Sequence, residues 1–315
     1  MTDSTNFNPM YSRKLFGYNN YFNIFNTLIL KKKFPKVVML SGEKGSGKFT
    51  MAFHLINYVL SQGSEYPYNY ENKIINNKNT FYNDIISNIS QNYHYLSGED
   101  NSTKIDDIRN VKKKFNNTLL NNLPRFIIID DVEVLNIYTV NSLLKLIEEP
   151  TKTNFFILIN NKRQKIIDTI QSRSIEFKFF LDSSSKTNIL KELIQNYDLK
   201  DHFIFNYKDK LTPGNLVRFY NCLNNLAINE ETSLHEKADI LLEKYKKTKQ
   251  EIFLSCLIFF IQIKSVPNSN KSKAFLKYVN NRYKIINLLS DYKKYNLTNN
   301  IILHHLKKTE NLYAK

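Results

Sequence analysis

Cysteine is scarce and tryptophan is absent in this sequence. The 315 residues include two cysteines, Cys222 and Cys256, which lie far apart along the chain. Two cysteines cannot build a disulfide framework, and they are too few for a structural zinc cluster, which takes four Cys or His ligands. We therefore expect no zinc, and we expect a reducing compartment, the cytoplasm.

Long apolar runs and a targeting segment are also missing. The most apolar run, residues 252–263, is too short for a bilayer, which takes about 20 residues, and it contains Ser255 and Gln262. Residues 1–10 lack a basic region followed by an apolar core, so no signal peptide is visible. We expect a soluble protein with no membrane partner, in which residues 252–263 form a buried helix.

Glycine and proline are rare, with 7 of each, whereas lysine, asparagine, isoleucine, tyrosine and phenylalanine are abundant. Lys and Arg number 45 against 29 Asp and Glu, which gives a formal charge of +16. A bias toward residues with AT-rich codons explains this charge, and so does a surface that attracts nucleic-acid phosphates. Composition alone leaves both explanations open.

Four apolar segments have the length and composition of buried strands: residues 37–40, 125–131, 154–160 and 175–179. Amphipathic patterns with helical spacing lie between them. Strands that alternate with helices predict an α/β fold, a mostly parallel sheet with helices on both faces. The Asn- and Tyr-rich stretch 63–98 has weak periodicity and is predicted to be a loop or insertion.

Beyond residue 180 only helical patterns remain, with a break near residues 227–233. A chain of 315 residues is long enough for about two or three domains. We predict an α/β domain over 1–180, a small helical domain over 181–230 and a second helical domain over 231–315.

A glycine-rich turn follows the first strand. Residues 42–48, Gly-Glu-Lys-Gly-Ser-Gly-Lys, fit the GxxxxGK pattern of phosphate loops, with a strand before them and a helix after them. Gly42, Gly45 and Gly47 let backbone N–H groups curl around phosphate oxygens, while Lys48 and the helix N-terminus add positive charge. The alternative is a chance Gly/Lys turn, which the strand–loop–helix context disfavours.

Both elements that would serve metal-assisted hydrolysis are altered. Phe49 stands where a Ser or Thr would hold Mg²⁺, and Thr50 lies one residue, about 100° of helix rotation, away. Asp130 ends a strand, where a carboxylate can lie near Mg²⁺, but Asp131 stands where many hydrolysing ATPases have a water-activating Glu. Aspartate is one methylene shorter, and misplacing a base by about an ångström can cost on the order of 100-fold.

These alterations predict that the loop binds ATP, with Mg²⁺ only when the nucleotide is bound, but supports little turnover. The alternative for the acidic pair is that the two aspartates only cap a strand.

The sequence after residue 125 resembles the AAA+ subunits of bacterial DNA-polymerase clamp loaders. The shared motifs are a helix that ends in Leu-Leu-Lys-x-x-Glu-Glu-Pro and a Thr-Ile-x-Ser-Arg-Cys signature, whose last residue is Ser here. The corresponding residues are Leu143, Leu144, Lys145, Glu148, Glu149, Pro150, Thr169, Ile170, Ser172, Arg173 and Ser174. The likeness extends over about residues 9–220. Four features are most similar to the delta-prime type of subunit: Leu15-Phe16-Gly17, the shifted Gly-Lys-x-Thr loop, residues 105–109 and Thr212-Pro213-Gly214.

The resemblance implies an AAA+ P-loop domain, a small helical lid domain and a C-terminal helical collar domain. It implies a subunit that helps to load the sliding clamp onto primed DNA in replication, in a hetero-pentamer with gamma/tau-type and delta-type subunits. That assembly is part of the DNA polymerase III holoenzyme, a nucleotidyltransferase complex. The alternative is an active AAA+ ATPase subunit of the gamma/tau type. The four-cysteine zinc module of many such subunits has no counterpart in residues 63–98, which contain no Cys.

The resemblance also implies roles for single residues. Arg173 would point out of its own subunit and act as an arginine finger at the ATP of a neighbour, where a guanidinium stabilises charge on the transferred phosphoryl group. Asn160 would be a polar sensor; the alternative is a strand-end residue that turns the chain. Glu148 and Glu149 lie in the last turn of a predicted helix, where they oppose its dipole. Their placement before Pro150 suggests ion pairing or an interface, and a solvated charge that tolerates the cost is the equal alternative.

Overall fold

A computed structural model describes residues 7–98, 103, 105–115, 123–148, 150–263 and 272–311. The strands are β1 (Val37–Ser41), β2 (Tyr93–Ser97), β3 (Arg125–Asp130), β4 (Asn154–Asn160) and β5 (Ile175–Lys178). The helices of the α/β region are α1 (Asn19–Leu30), α2 (Lys48–Leu60), α3 (Thr80–Ile86), α4 (Ile105–Phe115), α5 (Ile137–Ile147) and α6 (Asp168–Gln171). They are followed by α7 (Ser183–Asn196), α8 (Pro213–Asn225), α9 (Leu234–Thr248), α10 (Glu251–Ile263), α11 (Ser272–Tyr295) and α12 (Asn299–Asn311).

The sheet is parallel throughout, with the strand order β2-β3-β4-β1-β5. Both of its faces are covered by apolar side chains. Along β3, Phe126 and Ile128 pack in one core with side chains from α1 and α2, while Ile127 and Ile129 pack in a second core with α4 and α5. The predicted sheet with helices on both faces is confirmed, because a continuous apolar run can be buried only if both faces are covered.

The parallel pairing brings the carboxyl ends of three strands to one edge of the sheet. Ser41, the last residue of β1, lies opposite Asn160, the last residue of β4. β1 runs directly into residues 42–48, and the neighbouring β3 ends at Asp130. The candidate site is built where these strands end.

The stretch 63–98, predicted to be a loop or insertion, contains α3 and β2. Asn79 caps α3, since its Oδ1 accepts a hydrogen bond from the backbone N of Tyr82 at 3.2 Å. β2 is an outermost strand of the sheet and pairs with β3. The loop prediction is wrong for these two elements. The sequence of β2 is aromatic and polar and lacks the apolar pattern of a buried strand, and its strand conformation comes from pairing with β3.

By its internal contacts the chain divides into two compact units. One takes in the residues up to 201 together with 205–217, and the other takes in 202–204 and the residues from 218 onward. The domain limits at 180 and 230 stay a prediction.

In the second unit, α10 buries Phe253, Leu257 and Phe260, which confirms the buried helix predicted for residues 252–263. α9 begins with a capping box formed by Ser233 and Glu236. Within the described ranges, none of the helices combines the length and apolar character needed to cross a membrane.

His54, in the middle of α2, is buried in the first unit. Its Nε2 lies 2.9 Å from the carbonyl oxygen of Ser12, and its Nδ1 lies 3.0 Å from the hydroxyl of Tyr68. A carbonyl oxygen only accepts, so Nε2 carries the proton and the Tyr68 hydroxyl donates to Nδ1. Burial lowers the pKa of His54 to about 4, so the ring is neutral in the folded protein near pH 7.

We expect acid to destabilise the fold through His54. Below about pH 6.5 the unfolded chain binds a proton at this residue, whereas the folded protein does so only below about pH 4. Proton binding between these values favours the unfolded chain. The free energy of unfolding therefore falls as the pH is lowered, with about 2 kcal/mol lost through this residue between pH 7.5 and pH 5.

Urea unfolding of the wild type and of His54→Gln at both pH values measures this contribution, since the carboxyl groups common to the two proteins cancel. The stability advantage of the wild type should shrink by about 2 kcal/mol at pH 5. An advantage of equal size at both pH values would contradict the assignment.

Candidate functional site

The phosphate loop connects β1 to α2, and its glycines are required by its geometry. Gly45 and Gly47 have left-handed backbone conformations, with φ of +80° and +93°, which strain any residue with a side chain. Gly42 lies against another segment of backbone, since a Cβ there would come within 2.5 Å of the carbonyl oxygen of Phe179. Each glycine of the predicted motif thus has a physical reason.

Lys48 lies at the centre of this loop. Its ammonium group donates to the carbonyl oxygens of Gly42 at 2.8 Å and of Glu43 at 2.7 Å, and the residue is 2% exposed. Burial lowers the pKa of Lys48 to about 8, against the opposing effect of the Asp130 carboxylate. The cation is therefore positioned inside the loop, where a phosphate-loop lysine is needed.

The start of α8 packs on the same loop. Thr212 Oγ1 and Asn215 Nδ2 donate to the carbonyl oxygen of Lys44 at 2.8 and 3.0 Å. The backbone N of Gly214 donates to the carbonyl oxygen of Gly45 at 2.9 Å, and a Cβ on Gly214 would come within 2.6 Å of that oxygen. The Thr-Pro-Gly sequence therefore fixes the shape of the phosphate loop by close backbone approach.

The Asp131 carboxylate is 2% exposed and held by several partners. Its Oδ2 lies 3.1 Å from Lys44 Nζ, while its Oδ1 accepts from Asn161 Nδ2 at 2.9 Å and lies 3.8 Å from Arg163 Nη1. A general base must lie within hydrogen-bonding reach of the water that it deprotonates. Each oxygen of Asp131 already has one protein partner within hydrogen-bonding distance.

The neighbouring Asp130 has a different environment. Burial and the adjacent Asp131 raise its pKa to about 6, although hydrogen bonds from the backbone N of Asp131 at 2.8 Å and from Asn161 Nδ2 at 2.9 Å act the other way. At neutral pH the ionised form is retained at a free-energy cost. Asn161 thus joins the two aspartates, and their role in a nucleotide site stays a prediction.

Phe49 is part of an aromatic cluster. The Phe49 ring lies 5.9 Å from that of Phe53 and 5.4 Å from that of Tyr95, and Thr50 is half-buried one residue further along α2. A P-loop magnesium ion uses a Ser or Thr hydroxyl here together with the strand-end Asp. The residues present fit a phosphate group, but they do not provide that hydroxyl–carboxylate pair.

Zinc and other metals are a separate question. No group of three or more His, Cys, Asp and Glu side chains suited to a metal ion occurs among the residues that the structure describes. The expectation that the protein uses no zinc stays a prediction.

The turn after β4 contacts the acidic pair through a residue that we did not predict. Asn160, the predicted sensor, accepts a hydrogen bond from the backbone N of Lys162 at 2.9 Å. The next residue, Asn161, donates to both Asp130 and Asp131. The sensor role of Asn160 stays a prediction, and the Asn-Asn doublet was the signal in the sequence that either residue could face the site.

Other contributors were also missed by sequence reasoning. Glu133 supports the turn after β4, since its Oε1 accepts from the backbone N of Asn161 at 3.1 Å and of Arg163 at 3.2 Å. Tyr18 donates its hydroxyl to the carbonyl oxygen of Ser46 at 2.6 Å. These contacts join residues far apart in sequence, and no local pattern marks them.

Arg173 lies at the surface between α6 and β5, away from the phosphate loop in the sequence and 37% exposed. Its Nε donates to Oε1 of Glu148 at 3.0 Å, and its Nη2 lies 2.9 Å from the same oxygen in an ion pair. Its Nη1 donates to the carbonyl oxygen of Thr169 at 3.1 Å. Glu148 follows the last residue of α5 and is 45% exposed. The next residue, Glu149, lies outside the described residues. The finger role of Arg173 stays a prediction.

The fold and the site together define the class of this protein. A parallel sheet with a phosphate loop after β1, an acidic pair after β3 and a polar turn after β4 is that of the AAA+ P-loop proteins. More specifically, the chain belongs to the family described as DNA polymerase III, delta subunit, whose family model matches residues 17–182.

Several curated relatives carry related names. The chain is 27% identical to the DNA polymerase III subunit delta' of Buchnera aphidicola subsp. Baizongia pistaciae over 186 residues, which cover 56% of this chain and 53% of that protein. It thus spans about half the length of that relative. It is 25% identical over 291 residues to the subunit delta' of Buchnera aphidicola subsp. Schizaphis graminum, covering 87% of this chain and 82% of the relative. The likeness to the delta-prime type expected from the motifs is confirmed.

Among solved structures, the chain is similar to a DNA polymerase III gamma subunit-related protein from Thermotoga maritima. The TM-score is 0.49 at 17% identity, with 90% of this chain and 99% of that chain covered.

The raised pKa of Asp130 leads to a stability prediction. A carboxyl group whose pKa is about 6 in the folded protein and about 3.8 when unfolded destabilises the fold increasingly as the pH rises from about 3.8 to about 6, and fully above that, because its ionised form is disfavoured by folding. Asp130→Asn removes this cost, and we expect the free energy of unfolding at pH 7.5 to rise by about 3 kcal/mol. Urea unfolding at pH 7.5 and at pH 5 measures the gain, which should be smaller at pH 5.

Asp131→Asn is the matched control. It removes the charge that faces Lys44 and Arg163, so we expect lower stability at pH 7.5. If Asp130→Asn destabilised the protein as much as Asp131→Asn, burial would not be the cause of the raised pKa of Asp130.

Proposed function

We propose that this chain acts as the delta-prime-like subunit of the DNA polymerase III clamp loader and helps to load the sliding clamp onto primed DNA. Its partners would be gamma/tau-type and delta-type subunits in a hetero-pentamer. Membership of the family supports this proposal, as do the relatives named DNA polymerase III subunit delta'. The formal charge of +16 fits a sequence-independent contact with DNA phosphates.

Within that assembly, the chain's own nucleotide site would bind ATP with little or no hydrolysis. The observation that carries this proposal is the state of the Asp131 carboxylate, which is buried and bonded to Lys44 and Asn161. Releasing it toward a water molecule would break its ion pair with Lys44. Phe49 adds a second obstacle, since it replaces the hydroxyl that would bind Mg²⁺.

Arg173 would serve the ATP site of a neighbouring subunit. Its guanidinium is exposed, ordered by hydrogen bonds and carried on a different segment from the chain's own phosphate loop. A guanidinium at a transferred phosphoryl group is worth on the order of 10³-fold or more in rate. One chain would thus provide a catalytic group while its own site stays inactive.

A reconstituted clamp loader provides the test. The other ATP sites are silenced by substituting their phosphate-loop lysines, so that phosphate release reports only the site next to this chain. Arg173→Ala is expected to lower kcat at that site by on the order of 10³-fold, because the developing charge loses its guanidinium. Lys48→Ala, in this chain's own loop, is the control and should change kcat less than about twofold.

The proposal is wrong if the purified chain alone hydrolyses ATP at a substantial rate and Lys48→Ala abolishes that hydrolysis. That outcome would instead support an active ATPase of the gamma/tau type.

A further inference from the structure

We propose that Glu148 is a positioning residue for Arg173, holding the guanidinium in the orientation in which it meets the phosphoryl group of a neighbouring ATP. This inference rests on the proposed function of Arg173. Its starting point is the side-on ion pair, in which Oε1 of Glu148 accepts a hydrogen bond from Nε at 3.0 Å and lies 2.9 Å from Nη2.

The contacts of Arg173 define a direction for the group. A guanidinium has five N–H donors in one plane. Glu148 Oε1 accepts from Nε at 3.0 Å and lies 2.9 Å from Nη2, while Nη1 donates to the carbonyl oxygen of Thr169 at 3.1 Å and to Ser172 Oγ at 3.3 Å. Within the described part of the chain, this arrangement leaves the Nη2 N–H that points away from Glu148 without a hydrogen bond. That N–H is available to an oxygen of a phosphoryl group from another subunit.

The two partners are carried by helices of different length. Arg173 follows α6, a helix of 4 residues that buries one side chain, Ile170. Glu148 continues α5, an 11-residue helix that buries Leu143, Leu146 and Ile147 in the core. The backbone N of Glu148 still donates to the carbonyl oxygen of Leu144 at 3.0 Å. The ion pair therefore ties the guanidinium of Arg173 to the end of α5.

Stability of the chain does not explain the pair. A carboxylate at the C-terminal end of a helix is disfavoured by the helix dipole. The side chains of Glu148 and Arg173 are 45% and 37% exposed, and ion pairs at such exposure contribute little to folding because water and salt screen them. Orientation of the guanidinium is the effect that remains.

The test uses the reconstituted loader in which only the site next to this chain is active. Glu148→Ala should lower kcat at that site by about tenfold, since the arginine then samples orientations that miss the phosphoryl group. The KM for ATP should stay within about twofold, because the neighbour's own loop binds the nucleotide. Glu148→Gln keeps an acceptor oxygen for Nε and Nη2, so it should recover kcat to within about threefold of the wild type.

Two controls accompany these variants. Glu71→Ala removes an exposed glutamate of the same unit that is remote in sequence from Arg173, and it should leave kcat unchanged. Thermal unfolding of each purified chain checks that Glu148→Ala retains the wild-type melting temperature, as a positioning role requires.

The outcomes separate this inference from the proposed function. If Arg173→Ala abolishes hydrolysis while Glu148→Ala matches the wild type, the positioning role is wrong and the finger role stands. If neither variant affects kcat, both are wrong. A change confined to KM, a lowered melting temperature, or a Glu148→Gln variant as slow as Glu148→Ala would also overturn the positioning role.

Discussion

The parallel pairing of β1, β3 and β4 is the constraint on which the candidate site depends. Because these strands run in the same direction, the segments that follow them emerge at one edge of the sheet, so the phosphate loop, Asp130 and Asn161 come together although they lie far apart in sequence. A shift of register by one residue would exchange the two apolar faces of a strand, and both faces here are buried. The two cores therefore hold the strand ends in place, and with them the distances within the site.

Burial of charge explains how the acidic pair at this edge of the sheet is held. Buried carboxylates need partners, and Lys44 and Asn161 supply them to Asp131. Under the proposed function, these bonds also hold the carboxylate away from the role of a catalytic base. Folding and hydrolysis would then compete for one carboxylate. Polar groups of the phosphate loop are also bonded within the protein, since the carbonyl oxygens of Lys44 and Gly45 accept hydrogen bonds from the start of α8.

Arg173 shows the opposite arrangement, because its charge is ordered but remains at the surface. A surface guanidinium that is oriented by Glu148 can meet a phosphate of another molecule with little further loss of side-chain freedom. An internally bonded site and an ordered external cation make sense together in a subunit that contributes to catalysis by a neighbour. Both features are carried by the same parallel sheet and the segments that follow its strands.

The sequence by itself determined the features that depend on neighbouring residues: the apolar strands, the glycines of the phosphate loop, the aromatic at position 49, the aspartate at 131 and the motifs of the family. Periodicity and spacing express these locally, so they could be predicted. Only the tertiary structure decided that β2 is a strand, that Asn161 rather than Asn160 contacts the aspartates, and that Glu148 pairs with Arg173. Each of these depends on segments brought together by sheet pairing and helix packing, and the energy of such a contact is set by distance in space, which the order of residues along the chain does not contain.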